Sequence, residues 1–232
     1  MSGKTVEFEK DGVKVKGYLA LPCWRGPAVL VMHEWWGLES PLSNVQEICD
    51  RFAEEGFVAF APDFYEGKSA DNPDDAGRLM TEMFERRLDR VRELFKASVA
   101  FLKECRYTEP KKVGITGFCC GGTLAMLFAA EFPELIDASV PFYGLPQLAP
   151  IDASKIRVPV YFVLAEKDEF VNNDEVLDMV KAVWKNGVEA AARVFPGVSH
   201  AFLNEKRPEV FNARKAEEAF RSAVAFFKYH LS

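Results

Sequence analysis

The chain has 232 residues, 49% of them hydrophobic and 13% aromatic, which suits one α/β domain spanning residues 1–232 with a sizeable core. Its formal net charge of -6 argues against a nucleic-acid partner. No apolar stretch is long enough to cross a membrane and the charged N-terminus does not resemble a signal peptide, which predicts a cytoplasmic protein without a membrane partner.

The N-terminal half predicts strands and helices in alternation. Polar and apolar residues alternate on both sides of Asp11-Gly12, which indicates a β-hairpin. Two apolar runs indicate buried strands, and helical spacing between them indicates a helix that stops at Gly56. Residues 63–75 are predicted to form a loop, and two charged helices are predicted from about 74 to 104. The two apolar runs span 27–35 and 57–65.

The C-terminal half continues this alternation. Two helices are predicted over 122–132 and 173–186, and a last helix is predicted from about Pro208. The order of elements predicts an α/β fold whose mainly parallel central sheet is covered by helices on both faces. The predicted strands of this half span 111–118, 136–144, 158–168 and 191–197.

Two adjacent cysteines lie in the segment "GITGFCCGGTLAM", between a predicted strand and a predicted helix. The run Gly117-Phe118-Cys119-Cys120-Gly121 fits the pattern small-x-nucleophile-x-small, which is the nucleophile turn of α/β-hydrolases. Cys119 is therefore the predicted nucleophile, and the helix N-terminus beneath it favours the thiolate. The backbone N–H of Cys120 would point to a developing oxyanion. The alternative is a plain helix start with two buried thiols.

Other uses of these thiols fit the sequence less well. The five cysteines lack the spacing of a disulfide framework, and a redox pair normally needs two intervening residues. The three histidines are His33, His200 and His230, and "HEWWG" lacks the second histidine of a zinc-binding HExxH helix. We therefore predict no metal and no cofactor.

A nucleophile of this kind needs a base, and the base needs an orienting acid. Asp168 follows one predicted strand and His200 follows the next, so the order nucleophile, acid, histidine matches that of α/β-hydrolases. Asp174 and Glu166 are competing acids. Asp168 is preferred because it lies just past the end of its strand.

Five short motifs follow one another along the chain: "HEWWGL", "APDFY", "GFCCGG", "AEKDEFV" and "SHAF". In this order and spacing the chain resembles the dienelactone hydrolase family over nearly its whole length. The resemblance implies the α/β-hydrolase fold and a triad of Cys119, His200 and Asp168. It also implies that Glu34 takes part in switching the resting thiol to thiolate, and that the backbone N–H of Trp35 completes the oxyanion hole.

One position departs from the family pattern. Dienelactone-cleaving members carry an arginine four residues past the histidine, where this chain has Asn204, with Arg207 further on. A second family arginine aligns with Arg78. Asn204 lacks the charge that holds a substrate carboxylate, and aromatic residues neighbour the motifs, so neutral aryl esters are the expected substrates. The predicted substrate-binding residues are Trp36, Phe118, Tyr143, Phe202, Asn204 and Arg78.

The sequence therefore predicts a hydrolase of ester or lactone bonds that works as a monomer or homodimer on a small-molecule ester, lactone or phosphotriester. Two alternatives stay open. One is a phosphotriesterase that uses the same triad. The other is a non-catalytic protein that senses oxidants through Cys119.

Overall fold

The computed structural model describes residues 2–232. The chain divides into two compact units, Met1–Val113 and Gly114–Ser232. The described residues form eight strands, most of them parallel to their neighbours, and six α-helices. This confirms the α/β class and the parallel pairing predicted from the sequence. The single domain predicted over residues 1–232 stays a prediction.

The first unit holds four strands in the spatial order β1-β2-β4-β3. The first two strands form the predicted antiparallel hairpin, whose turn residues Asp11 (φ 51°) and Gly12 (φ 78°) both have the left-handed backbone of a tight hairpin turn. Strands and helices of this unit are β1 (Lys4–Lys10), β2 (Val13–Ala20), β3 (Gly26–Met32), α1 (Val45–Glu54), β4 (Val58–Pro62), α2 (Pro73–Arg86) and α3 (Leu88–Glu104).

Helices cover both faces of the sheet in this unit. The hydroxyl of Tyr18 in β2 donates to Asp50 of α1 at 3.0 Å. The next residue, Leu19, pairs with Phe60 of β4, whose ring lies 5.5 Å from that of Phe101 in α3. Because consecutive strand residues point to opposite faces, α1 and α3 lie on opposite sides of the sheet.

The second unit holds four parallel strands in the order β5-β6-β7-β8. Two short 3-10 turns, Pro146–Leu148 and Ala153–Lys155, lie between its second and third strands. Strands and helices of this unit are β5 (Thr108–Phe118), whose C-terminal part belongs to the unit, α4 (Cys120–Glu131), β6 (Ala138–Phe142), β7 (Val160–Lys167), α5 (Asn173–Lys185), β8 (Ala190–Ser199) and α6 (Ala213–Leu231).

Helices also cover both faces in the second unit. A Cβ atom on Gly114 of β5 would come within 2.6 Å of the Phe227 ring in α6, so this face of the sheet packs closely on α6. The next residue, Ile115, pairs with Ser139, whose hydroxyl donates to the Ala125 carbonyl of α4 at 3.2 Å. Helices α4 and α6 therefore lie on opposite faces, as the sequence predicted.

The parallel strands of the second unit place their carboxyl ends at one edge of the sheet. Strand β5 ends one residue before Cys119, β7 ends one residue before Asp168, and β8 ends one residue before His200. The three predicted triad residues therefore leave the same edge. Helix α4, which follows Cys119, is buried from Cys120 to Ala130, in agreement with its apolar character on all sides.

Two predicted boundaries were wrong. The last helix begins at Ala213 and not near Pro208, because Asn212 caps it by accepting a hydrogen bond from the Lys215 backbone N–H at 3.1 Å. The loop predicted over 63–75 ends earlier, because Asn72 caps α2 in the same way. None of the helices formed by residues 2–232 is both long and apolar enough to cross a membrane.

Candidate active site

Cys119 lies in a strained turn between β5 and α4. Its backbone angles are φ 57° and ψ -121°, which are unusual for a residue with a side chain. Strain of this kind costs on the order of 1–3 kcal/mol and is typical of functional sites. Two hydrogen bonds hold the turn: the Cys119 N–H donates to the Phe142 carbonyl at 3.2 Å, and the Cys119 carbonyl accepts from the Thr123 N–H at 3.1 Å.

Glycine is required where α4 meets the loop that follows β6. A Cβ atom on Gly122 would lie 2.5 Å from the Phe142 carbonyl oxygen and 2.9 Å from the Gly144 Cα. The hydroxyl of Thr123 fastens this contact, since it accepts from the Leu145 N–H at 2.9 Å and donates to the Leu145 carbonyl at 3.1 Å. Gly122 thus allows the backbone of α4 to approach the loop after β6.

Asp168 and His200 form a buried hydrogen-bonded pair. The His200 Nδ1 lies 3.0 Å from one carboxylate oxygen of Asp168 and 2.9 Å from the other. The Asp168 side chain is only 1% exposed. Its Oδ1 atom also accepts backbone N–H bonds from Phe170 at 3.0 Å and Val171 at 3.1 Å, which fix the carboxylate in place. The carboxylate is therefore fixed in contact with the imidazole.

The competing acids lie elsewhere in the same unit. Glu166 is exposed and accepts the backbone N–H of Gly197 at 2.7 Å. Asp174 is exposed in the first turn of α5, and its N–H donates to Asn172 at 3.1 Å. Asp168 is thus the acid that contacts the histidine.

Cys119 and His200 are buried and shift each other's pKa. Interaction with the Cys120 side chain and burial raise the pKa of the Cys119 thiol well above its usual range, although His200 lowers it. Burial alone would lower the pKa of His200, but the charges of Cys119 and Asp168 raise it to about 10. The charge of Cys119 raises the pKa of His200 only while the thiol is ionised. Burial disfavours the charged form of both groups, so we take the resting pair to be a neutral thiol beside a neutral imidazole.

The imidazole of His200 is flanked by two aromatic rings. Tyr143 is fully buried, and its ring centre lies 5.0 Å from that of His200. Phe170 lies 5.1 Å away with its ring plane at 74° to the imidazole, and it is 57% exposed. Phe118 and Phe202 are buried and pack against Tyr143, at centroid distances of 6.2 and 5.8 Å. Sequence reasoning missed Phe170, although it lies in the quoted "AEKDEFV" motif.

Asn204 is buried within the turn that follows His200. Its side-chain oxygen accepts the backbone N–H of Lys206 at 3.0 Å, and its backbone carbonyl accepts from the Arg207 N–H at 3.0 Å. The Arg207 side chain donates to Glu209 at 2.8 Å. Asn204 therefore stabilises the turn, and the charge of Arg207 is paired with a carboxylate.

The first unit carries the remaining predicted site residues, beginning with Glu34. Glu34 is buried, and its backbone carbonyl accepts from the Gly37 N–H at 3.1 Å. The Nε2 atom of buried His33 accepts the Phe64 N–H at 3.3 Å, so its Nδ1 carries the proton and donates to the Glu34 carbonyl at 2.8 Å. Burial lowers the pKa of His33, which favours this neutral form. His33 thus fixes the backbone of Glu34, a role that sequence reasoning missed.

Trp35, Trp36 and Arg78 also belong to the first unit. Trp36 is buried against Ala70 and Ala76. The ring centre of the half-buried Trp35 lies 5.0 Å from that of Trp36. The Arg78 side chain is 79% exposed on α2 and pairs with Asp75. Within its own unit Trp36 is thus a packing residue, and Arg78 lies on an exposed helix face.

Comparison with known proteins identifies the family. The dienelactone hydrolase family profile matches residues 15–231. A protein from Aquifex pyrophilus, named Protein usf, is 70% identical over 230 residues, which are 99% of this chain and 100% of that protein. A protein from Aquifex aeolicus (strain VF5), provisionally named a carboxymethylenebutenolidase, is 71% identical over 229 residues, which are 99% of each chain.

A solved structure supports the fold. It is that of a dienelactone hydrolase-like promiscuous phosphotriesterase from metagenomic libraries, and it superimposes with a TM-score of 0.84 at 19% identity, covering 100% of this chain and 99% of its own. At this identity the likeness concerns the fold alone, and it confirms the α/β-hydrolase architecture. Together with the profile match and the two relatives, it confirms the resemblance found in the motifs. The chain belongs to the dienelactone hydrolase family and is an enzyme of the hydrolase class.

Proposed function

We propose that this enzyme cleaves carboxylic esters or lactones with Cys119 as nucleophile, His200 as base and Asp168 as the orienting acid. The observation that carries the proposal is the buried His200–Asp168 pair, at 2.9 and 3.0 Å, coupled to a thiol in a strained turn. A thiol that takes no part in catalysis needs neither a strained backbone nor an imidazole held beside it.

The first step transfers a proton and forms the acyl-enzyme. Asp168 accepts the Nδ1–H of His200, which leaves Nε2 able to take the thiol proton of Cys119. The thiolate then attacks the carbonyl carbon, so a C–S bond forms and negative charge develops on the carbonyl oxygen. Cys120 is the first residue of α4, and its backbone N–H is the proposed donor to this oxygen.

The second donor and the thiol switch rest on the family resemblance. The backbone N–H of Trp35 is the proposed second donor, and losing one such donor typically costs about 2.7–4 kcal/mol of transition-state stabilisation. Glu34 is the proposed group that helps to remove the proton from a thiol with a raised pKa. The bond from His33 to the Glu34 carbonyl supports this role, because it fixes the backbone at that point.

The remaining steps release both products. The tetrahedral intermediate collapses, the C–O bond to the leaving group breaks, and the imidazolium of His200 donates its Nε2 proton to the departing oxygen. His200 then takes a proton from water, which attacks the thioester carbon. The C–S bond breaks and Cys119 regains its proton, so no cofactor is consumed.

Neutral aryl esters are the proposed substrates. The name of the Aquifex aeolicus relative denotes a lactone that bears a carboxylate. In this chain Asn204 carries no charge, and its oxygen already accepts from Lys206. Phe170 instead places an exposed aromatic ring beside the imidazole, which also packs against the buried Tyr143 ring. A site of this kind suits an aromatic group better than a small anion.

We expect kcat/KM for phenyl acetate to exceed that for an anionic dienelactone by about ten- to a hundredfold, because a lost charge-assisted bond costs on the order of 1.5–3 kcal/mol. The measurement is a steady-state panel of neutral aryl esters and dienelactones. Asn204→Asp is the control for charge and should weaken the dienelactone further. A dienelactone that outperforms every neutral ester would contradict the proposed preference and direct attention to Arg78 and Arg207.

Phosphotriester hydrolysis is the second candidate function. It is favoured by the cysteine at the nucleophile position, because a thiolate leaves phosphorus more readily than an alkoxide does. His200 would take the thiol proton, Cys119 would attack phosphorus to form an S–P bond, and the P–O bond to the aryl group would break as the imidazolium gives its proton to the departing oxygen, which leaves as the phenol. Water deprotonated by His200 would then attack phosphorus and break the S–P bond. A solved structure with the same fold is named a promiscuous phosphotriesterase, which makes the activity worth testing in this chain.

Excess 4-nitrophenyl diethyl phosphate is expected to give sustained release of nitrophenol, abolished in both Cys119→Ala and His200→Ala. The measurement is nitrophenol release over many equivalents of enzyme, beside a mass spectrum of the protein. A single stoichiometric burst, with a stable diethylphosphoryl adduct on Cys119, would mean that phosphotriesters only inactivate the enzyme.

A thiol sensor without catalysis is the remaining alternative. It would use the reactivity of Cys119 toward oxidants and would have no need of the Asp168–His200 pair. Repeated turnover of an aryl ester that depends on His200 excludes this function, since a sensor reacts once with each oxidant molecule.

A further inference from the structure

Phe170 lies beside the candidate site, and no step of the proposed mechanism involves its side chain. Its ring centre lies 5.1 Å from that of His200, in an edge-to-face arrangement at 74°. Tyr143 lies on the same imidazole at 5.0 Å but is fully buried. Phe170 is 57% exposed, so of these two rings it alone offers surface to a bound molecule.

The backbone N–H and the backbone carbonyl of Phe170 are both hydrogen-bonded. Its N–H donates to the Oδ1 of Asp168 at 3.0 Å, and its carbonyl accepts from the side-chain amide of Gln147 at 2.9 Å. Gln147 belongs to the short 3-10 turn after β6, so two separate segments hold this peptide. An exposed aromatic ring on a fixed backbone loses little freedom when a ligand packs against it.

The chemistry of the proposed mechanism decides which part of a substrate meets this ring. His200 must bring its Nε2 proton to the oxygen of the leaving group, so that group lies beside the imidazole when the C–O bond breaks. The Nε2 atom is buried. A group whose oxygen reaches this atom therefore lies next to the rings that flank the imidazole.

We infer that Phe170 is the residue that selects the leaving group, and that it favours aryl and other flat apolar alcohols over small aliphatic ones. The inference rests on the proposed function. Two packed aromatic rings stabilise each other by more free energy than the burial of their surface area provides. This stabilisation raises the rate when the aryl leaving group contacts the Phe170 ring more fully in the transition state than in the bound substrate. Phe170 takes no part in bond making.

The test compares two acetates that share an acyl group and differ in the leaving group, 4-nitrophenyl acetate and 2,2,2-trifluoroethyl acetate. Phe170→Ala is expected to lower kcat/KM for the aryl acetate by about tenfold, the size of one aromatic contact, and to leave the aliphatic acetate within about twofold. Phe170→Trp should keep the aryl preference. Gln147→Ala, which frees the loop, should lower it partly.

Two comparisons separate this role from general damage. Tyr229→Ala removes an aromatic ring that is 76% exposed on α6, and both acetates should keep their wild-type rates. Lengthening the acyl group to 4-nitrophenyl butanoate should leave the effect of Phe170→Ala unchanged. An equal loss for both acetates, or a loss that follows the acyl chain, overturns the inference.

The same experiment keeps the two proposals apart. If Cys119→Ala abolishes turnover and Phe170→Ala leaves the aryl preference unchanged, only the inference on the leaving group fails. If turnover persists in Cys119→Ala, the proposed nucleophile fails. If the wild-type enzyme turns over neither acetate, both are overturned.

Discussion

Replacing Cys119 by alanine is expected to lower kcat/KM for 4-nitrophenyl acetate by at least about a thousandfold, because no other group in the proposed mechanism can form the acyl-enzyme. The strained backbone of Cys119, whose φ is 57°, is a further reason to expect a large loss of activity, because strain of this kind is typical of functional positions. The measurement is steady-state hydrolysis, with the melting temperature recorded to show that the variant folds.

Cys120→Ala is the matched control, because it removes the adjacent thiol and keeps the backbone N–H that is proposed to stabilise the oxyanion. This variant should stay within about tenfold of the wild type, a loss far smaller than that of a nucleophile. The Cys120 side chain is the largest contributor to the raised pKa of Cys119, so its removal should lower that pKa. Iodoacetamide labelling of Cys119 should then begin at a lower pH. Labelling that goes to Cys120 in the wild type, with activity retained after Cys119→Ala, would contradict the assignment.

The positions of the three proposed triad residues could be predicted from the sequence because they obey rules that act along the chain. Parallel strands bring the residues that follow them to one edge, so the ends of three predicted strands placed Cys119, Asp168 and His200 at the same edge of the sheet. Small residues around the cysteines revealed a close backbone approach, and the structure shows it where Gly122 meets the loop after β6. These signals are local and need no knowledge of how side chains pack.

The surroundings of the proposed triad could not be predicted in the same way. Phe170 follows Asp168 by two residues, but only the turn of its backbone brings the ring onto the imidazole. Asn204 aligns with a substrate-binding position of the family, but its side-chain oxygen accepts a hydrogen bond from the Lys206 backbone N–H. In the sequence His33 is only a polar residue at the end of a strand. Its role depends on the Glu34 carbonyl, which accepts from Nδ1, and on the Phe64 N–H, which donates to Nε2. Such roles are set by tertiary contacts that no local pattern encodes.

The second large effect is expected at Asp168. Asp168→Asn should lower kcat/KM for aryl esters by about a thousand- to ten-thousandfold. The carboxylate accepts the Nδ1–H of His200, which leaves Nε2 unprotonated and able to take the thiol proton. An amide in its place can donate to Nδ1 and so favour the tautomer whose proton sits on Nε2. That tautomer cannot act as the base, even though the fold and the nucleophile are intact.

The control for Asp168→Asn is Glu166→Gln, which changes an exposed carboxylate two residues earlier that accepts the Gly197 N–H on β8. It should leave kcat/KM within about twofold, as is usual for surface changes. A second readout is the pKa of His200, which Asp168 helps to raise through its hydrogen bond and its charge. In Asp168→Asn this pKa should fall, and an NMR titration of the imidazole measures it. If the variant keeps activity within tenfold and the pKa of His200 does not move, Asp168 is not the orienting acid, and Asp174 or Glu166 must be tested in its place.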